Sequence, residues 1–411
     1  MIERRTAMGL ALGAAISSPT LAQPASAGGA TFYQSVGPVL AAWKPDAQAL
    51  TLTRLSEVTL PANVQYVWRH PSLRTLYVVS SNGGPGGPGD RHFLNAFRTD
   101  PDSGALSPHG EAVALRARPI HMSLDRSGGF AFVAYNNPSG LTVHRISGDG
   151  TLGAEVRQAV TPDGGIYGHQ VLATPDNGSV ILVTRGNDAA GGKPEDPGAL
   201  KVFGFRDGQL TLRQSVAPNG GLGFGPRHID FHPSLPLVFV SLERQNKLQV
   251  YGLRDGAMTP EPIFTVETLR RPGAVPPQQL ASTLHVHPNG RHLYLANRSD
   301  AIGEHQGQPI GLDGENSIAV FDLDANGRPT LVQSEDTRGF HPRTFSLDPS
   351  SRMMVAADIV GRRIRQGEGT TMRPANLAIY RVGTNGRLEF ASSIPVETGE
   401  VMQFWSGMVP L

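Results

Sequence analysis

Four residues of unlike chemistry stand at matching distances from a recurring turn: His169, Arg227, Glu243 and Arg298. Guanidinium forks bind carboxylates and stabilise an oxyanion, while an imidazole or a carboxylate moves a proton. Together they read as a convergent cationic site with one carboxylate. His169 and Arg227 stand six residues before their turns, and Glu243 and Arg298 stand ten residues after theirs. The same offsets select Arg343 before a turn, and Tyr135 and Arg185 after one. His121, His228 and His285 lie on the same segments. These six are the expected substrate-binding residues. Asp300, Glu304 and His305 are close in sequence but lack a metal-ligand spacing, so no metal is expected. His232 and His287 belong to the turns themselves and read as structural. No phosphate-binding loop or dinucleotide fingerprint is present, so no cofactor is expected.

Such offsets matter only if one element repeats. A short turn before an apolar run recurs six times, anchored at 71, 125, 175, 233, 288 and 349, with Asp125 taken as the equivalent of the prolines. Later in each unit a β run, an Asp-Gly or Asn-Gly turn and a second β run follow, as in KVFGFRDGQLTLRQSV. That is the strongest short hairpin signal. Each unit reads as four antiparallel strands, A to D, with the turn between A and B. A seventh unit is split: TFYQSVGPVLAAWKPDAQALTLTRLSEV supplies outer strands, and the C-terminal QFWSGMVPL supplies the missing one. The fold class is therefore all-β, a seven-bladed β-propeller of four-stranded antiparallel blades, closed by N- and C-terminal strands.

Strand polarity places both offsets at one mouth of the central channel. The Gly- and Pro-rich insertions 81–92, 186–198, 298–317 and 358–374 all fall between strands B and C on that same face. They read as loops that rim the mouth.

Composition agrees. Gly and Pro together make 82 of 411 residues (49 plus 33), against roughly 12% usually. A formal net charge of +1 points to no nucleic-acid partner. The absence of cysteine excludes a disulfide framework, thiolate metal sites and a cysteine nucleophile.

Residues 1–27 read as an export signal: Arg4-Arg5, an apolar stretch from Ala7 to Ile16, and Ala25-Ser26-Ala27 as the cleavage site. The arginine pair permits a twin-arginine route. The mature chain, 28–411, is expected to be one domain, soluble, periplasmic or secreted, and without a membrane span.

At GFGPRHIDFHPSLPLVFVSLERQNKLQVYGL (222–253) the sequence resembles the bacterial β-propeller lactonase family. That family includes the 6-phosphogluconolactonases and the fungal carboxy-muconate lactonizing enzyme. Further matching segments are 168–183, 282–298 and 341–357, and the resemblance covers essentially residues 32 to 411. It implies a metal-independent catalytic site of His169, Arg227, Glu243 and Arg298. The implied reaction is hydrolysis of a small carboxylated or sugar lactone. Either His169 or Glu243 could take the proton from water, and His169 is favoured because the neighbouring arginines should hold Glu243 ionised. A muconate-type cycloisomerase and a non-catalytic binding propeller are the alternatives. Leu242 stands where the family carries Asn, and the loop after Arg298 is longer than in the phosphogluconolactonases. Both departures, with export, argue against 6-phosphogluconolactone itself. The partner expected is a small-molecule lactone or dicarboxylate, and the protein is expected to be a monomer or weak homo-oligomer.

Overall fold

A computed structural model describes residues 29–84, 87–312 and 314–410; the expected leader lies outside them. Seven antiparallel sheets form the ring. Their innermost strands are Asn63–Arg69, Pro119–Leu124, Gly168–Ala173, Pro226–Phe231, Gln279–Val286, Pro342–Leu347 and Ser406–Pro410. These define blades I to VII. Blade VII joins the two ends of the described chain. Its inner strand, Ser406–Pro410, pairs with Ala30–Val36, and Val39–Asp46 and Thr51–Thr59 complete the sheet.

The recurring turn is built by one side chain. Asp348 accepts backbone N–H bonds from Ser350, Arg352 and Met353. In blade IV, His232 does the same with Nδ1, accepting from Ser234 and Leu235, while Nε2 contacts the Gly290 carbonyl of blade V. A Cβ at Gly290 would fall 2.8 Å from that ring, so glycine is required there. The histidines of these turns are structural, as their position implied.

Blades interlock through apolar layers rather than around one centre. Leu200 and Val202 of blade III pack with Val240 and Tyr251 of blade IV in one such layer. Strand-B tyrosines add polar links: Tyr33 donates to the Gly104 carbonyl, Tyr77 to Gly150 and Tyr294 to Gly386, each on the next blade.

Three features depart from the simple repeat. The turn bond from residue 125 to the Phe130 carbonyl aligns Asp125 with His70, Thr174, His232, His287 and Asp348, the residues before the prolines. Blade II is therefore displaced by one residue from the count used above. The outer strands of blades I and IV are each broken in two, Leu106–Pro108 and Val113–Ala114 in the first, Ala257–Met258 and Phe264–Glu267 in the second. Finally, insertions 298–317 and 358–374 are not plain loops. Each contributes a hairpin, and the two join into a separate four-stranded accessory sheet. No helix of the described residues is long and apolar enough to cross a membrane.

Candidate active site

Innermost strands need a device to turn a side chain out of the pleat, and they carry one. In blades I to VI the A–B register slips near the same height, around Gln65, Ile120, His169, Arg227, Ser282–Thr283 and Arg343. Such β-bulges re-aim a side chain and recur next to active sites. At the ends of the facing B strands stand Asn136, Arg185, Glu243, Arg298 and Ile359.

Both rows meet at a cavity of about 340 Å3. His169, Arg185, Glu243, Arg298 and Arg343 all line it. Six arginines and two carboxylates are among its lining residues, so its character is strongly cationic. Its centre is Glu243. One carboxylate oxygen accepts Arg227 Nε at 3.0 Å and Arg298 Nη2 at 2.5 Å, and the other accepts Arg185 Nη1 at 2.7 Å. Glu243 and Arg298 are buried, and Arg227 is 0% exposed.

Burial alone would raise the Glu243 carboxyl, but Arg298, Arg227 and Arg185 outweigh it and hold it well below its ordinary value. Burial, Arg227 and other arginines push His169 well below the usual histidine range, despite the opposing pull of Glu243. Its imidazole is therefore neutral near pH 7. Burial, with Arg298 and Arg118, brings Arg343 down to about 9, still protonated. Arg298 Nε and Nη1 and Arg227 Nη1 and Nη2 are buried without hydrogen-bond partners among the described residues. Buried unsatisfied donors are costly, and an anionic ligand in the cavity would relieve that cost at Arg298, which lines it.

Arg227 does not itself line the cavity. It is fully buried behind Glu243 and bonds that carboxylate. Four other expected residues are also placed elsewhere. Tyr135 is buried inside blade II, bonding Thr142, and Asn136 takes its place at the cavity because of the one-residue displacement. His121 and His228 lie one layer beneath: His228 is 5.2 Å from His169, and His121 stacks at 3.9 Å on Tyr66. Both are buried and neither lines the cavity. His285 stands lower still, 3.8 Å from Asp230 and against Phe345.

Several lining residues were not singled out from the sequence. Tyr167 and His341 precede strand A and carry positive φ values of 58° and 66°. Tyr167 stacks under Arg185 at 4.3 Å. His341 Nδ1 lies 3.3 Å from Asp300 and 3.1 Å from the Ser299 carbonyl. Phe404, just before the closing strand, stacks on Arg343 at 3.8 Å. Counting back from the anchors selects strands, so these loop residues escaped it. Among the described residues no three His, Asp or Glu side chains are grouped as metal ligands. Glu304 and His305 belong to the accessory sheet, while Asp300 is tied to His341.

Residues 29–364 match the family model described as lactonase, 7-bladed beta-propeller. A 6-phosphogluconolactonase of Cronobacter sakazakii is 28% identical over 317 residues, covering 77% of this chain and 83% of that protein. The solved structure of a periplasmic gluconolactonase of Pseudomonas aeruginosa superposes with a TM-score of 0.68 at 20% identity, over 91% of this chain and 98% of that one. A Lactobacillus plantarum protein superposes with a TM-score of 0.67 at 22% identity, over 93% and 98%. At these identities the two structural likenesses concern the fold alone.

Proposed function

This chain belongs to the seven-bladed β-propeller lactonase family, and we propose that it hydrolyses a small carboxylated or sugar lactone without a metal, in the cavity at the channel mouth. The observation that carries this reading is the buried Glu243 shared by Arg185, Arg227 and Arg298 beside a neutral His169. In the proposed reaction His169 takes a proton from water as the water oxygen bonds to the ring carbonyl carbon. The carbonyl electrons move to oxygen, and Arg298 and Arg185 stabilise the oxyanion. Collapse breaks the ring C–O bond, and the His169 imidazolium returns its proton to the leaving alkoxide. The product is an open-chain hydroxy acid. Glu243 stays ionised throughout and holds the arginines in register, with Arg227 anchoring it from behind. Guanidinium groups supply the positive charge that a metal would otherwise provide. An exported lactonase acting on external lactones is consistent with the leader-like residues 1–27.

The test is turnover of a lactone panel by the mature protein with and without chelator. We expect activity that survives chelation and falls roughly 100- to 1,000-fold in Arg298→Ala. Chelator-sensitive turnover would overturn metal independence. Binding without turnover would favour a non-catalytic propeller, and net ring closure of an unsaturated dicarboxylate would favour the cycloisomerase.

A further inference from the structure

The accessory sheet brings a guanidinium to the cavity from outside the propeller. Its two hairpins, Ile302–His305 with Gln308–Gly311 and Arg362–Gln366 with Gly369–Arg373, join in parallel at Gly311 and Ile364. Ile310 and Ile364 are buried, which seats the sheet on the molecule. Arg362 opens the second hairpin and lines the cavity.

Its route is specifically cleared. A Cβ on residue 311 would lie 2.6 Å from Arg362 Cγ and 2.7 Å from the Phe340 ring, so glycine at 311 leaves the space both side chains occupy. The Arg362 guanidinium stands 5.8 Å from the centre of the Phe340 ring, which is fully buried. Its Nε is buried without a hydrogen-bond partner among the described residues. Neighbouring arginines are directed elsewhere: Arg363 donates to Thr370, and Arg365 to the Gly367 carbonyl. Asp300, the carboxylate nearby, makes its direct contact with His341 and feels Arg362 only as a neighbouring charge. The Glu243 cluster belongs to strands of blades III, IV and V, whereas Arg362 enters from the insertion of blade VI.

We infer that Arg362, carried into the cavity by the accessory sheet, selects ligands bearing a second oxyanionic group, carboxylate or phosphoryl, remote from the carbonyl held near Arg298. This rests on the lactonase reading for its reacting end and goes beyond it by assigning the other end of the substrate. A planar fork with an unpartnered N–H suits that recognition.

The experiment compares kcat/KM for a neutral γ-lactone with its carboxylate- and phosphate-bearing homologues, in wild type, Arg362→Gln, Arg362→Lys and Arg365→Ala. It also measures calorimetric binding of an open-chain dicarboxylate and its monocarboxylate homologue. We expect the preference for the charged lactone, and for the dicarboxylate, to fall about 10- to 100-fold in Arg362→Gln, mainly through KM and Kd. Arg362→Lys should recover part of it, and Arg365→Ala, which removes an equal charge nearby, should keep it. Which homologue loses more identifies carboxylate or phosphoryl as the ligand group. An unchanged preference in Arg362→Gln, or an equal loss in Arg365→Ala, overturns the inference. Wild type that shows the dicarboxylate preference without hydrolysing any lactone would overturn the hydrolase reading and leave this one standing.

Discussion

Glu243 accepts three guanidinium groups, and in the proposed reaction it stays ionised and holds arginines that would otherwise repel one another. That division of labour has a consequence for stability. A carboxyl lowered on folding contributes stability that is complete above its unfolded pKa, about 4.3, and that is lost as pH falls through the folded value. The folded value is well below ordinary. The wild type should therefore lose stability below about pH 4.5 more steeply than Glu243→Gln, which has no carboxyl to protonate. At pH 7 the gap is widest: Glu243→Gln should be about 3–5 kcal/mol less stable than wild type, because buried arginines lose their counter-charge. Urea unfolding from pH 7 to 3 reads both effects, and parallel stability curves would contradict the assignment.

At the scale of elements, one turn is solved by two chemistries. His232 caps its turn with Nδ1 and reaches Gly290 with Nε2, whereas Asp348 caps the equivalent turn of blade VI with carboxylate oxygens. His232→Ala should cost about 1–3 kcal/mol through unsatisfied turn N–H groups, and His232→Asp should restore the larger part. Denaturant midpoints of the two variants decide it; equal losses would show that the inter-blade contact, not the cap, matters most. The bulges are the other recurring device. A strand of strict period two would send residues at the height of His169, Arg227 and Arg343 into the blade packing. A bulge stands at each of these positions, and at His169 and Arg343 it accompanies a side chain that lines the cavity.

For the whole molecule, closure of the ring and construction of the cavity are the same event. The last described segment contributes the inner strand of blade VII, and just before it Gln403 donates to the carbonyls of Asp358 and Asn376. Phe404, in the same segment, supplies the ring beneath Arg343. Truncation after Met402 should lower the melting temperature by at least about 10 °C, equivalent to roughly 8 kcal/mol at about 2.1 cal/mol/K per residue in a chain of this size. It should also abolish lactone turnover, since the cavity loses one wall. It leaves Ala30–Val36 as an unpaired edge, which favours aggregation. A truncated protein with unchanged melting and activity would show that closure elsewhere suffices.

The sequence by itself determined the number of blades, the strand that closes them, and the meeting of His169, Arg185, Glu243, Arg298 and Arg343 around one cavity. Those follow from repetition, which a fixed spacing records. Tertiary structure decided the rest. A bulge or a displaced turn changes a side chain's direction without changing its spacing, so Asn136 replaced Tyr135, and His121, His228 and His285 fell to lower levels of the channel. Arg227 moved from expected ligand contact to a buried support of Glu243, because depth along the channel axis has no sequence period. Residues from unique insertions, Asp300 and Arg362, and from the loops bearing Tyr167, His341 and Phe404, reach the cavity only through packing. No repeat announces them.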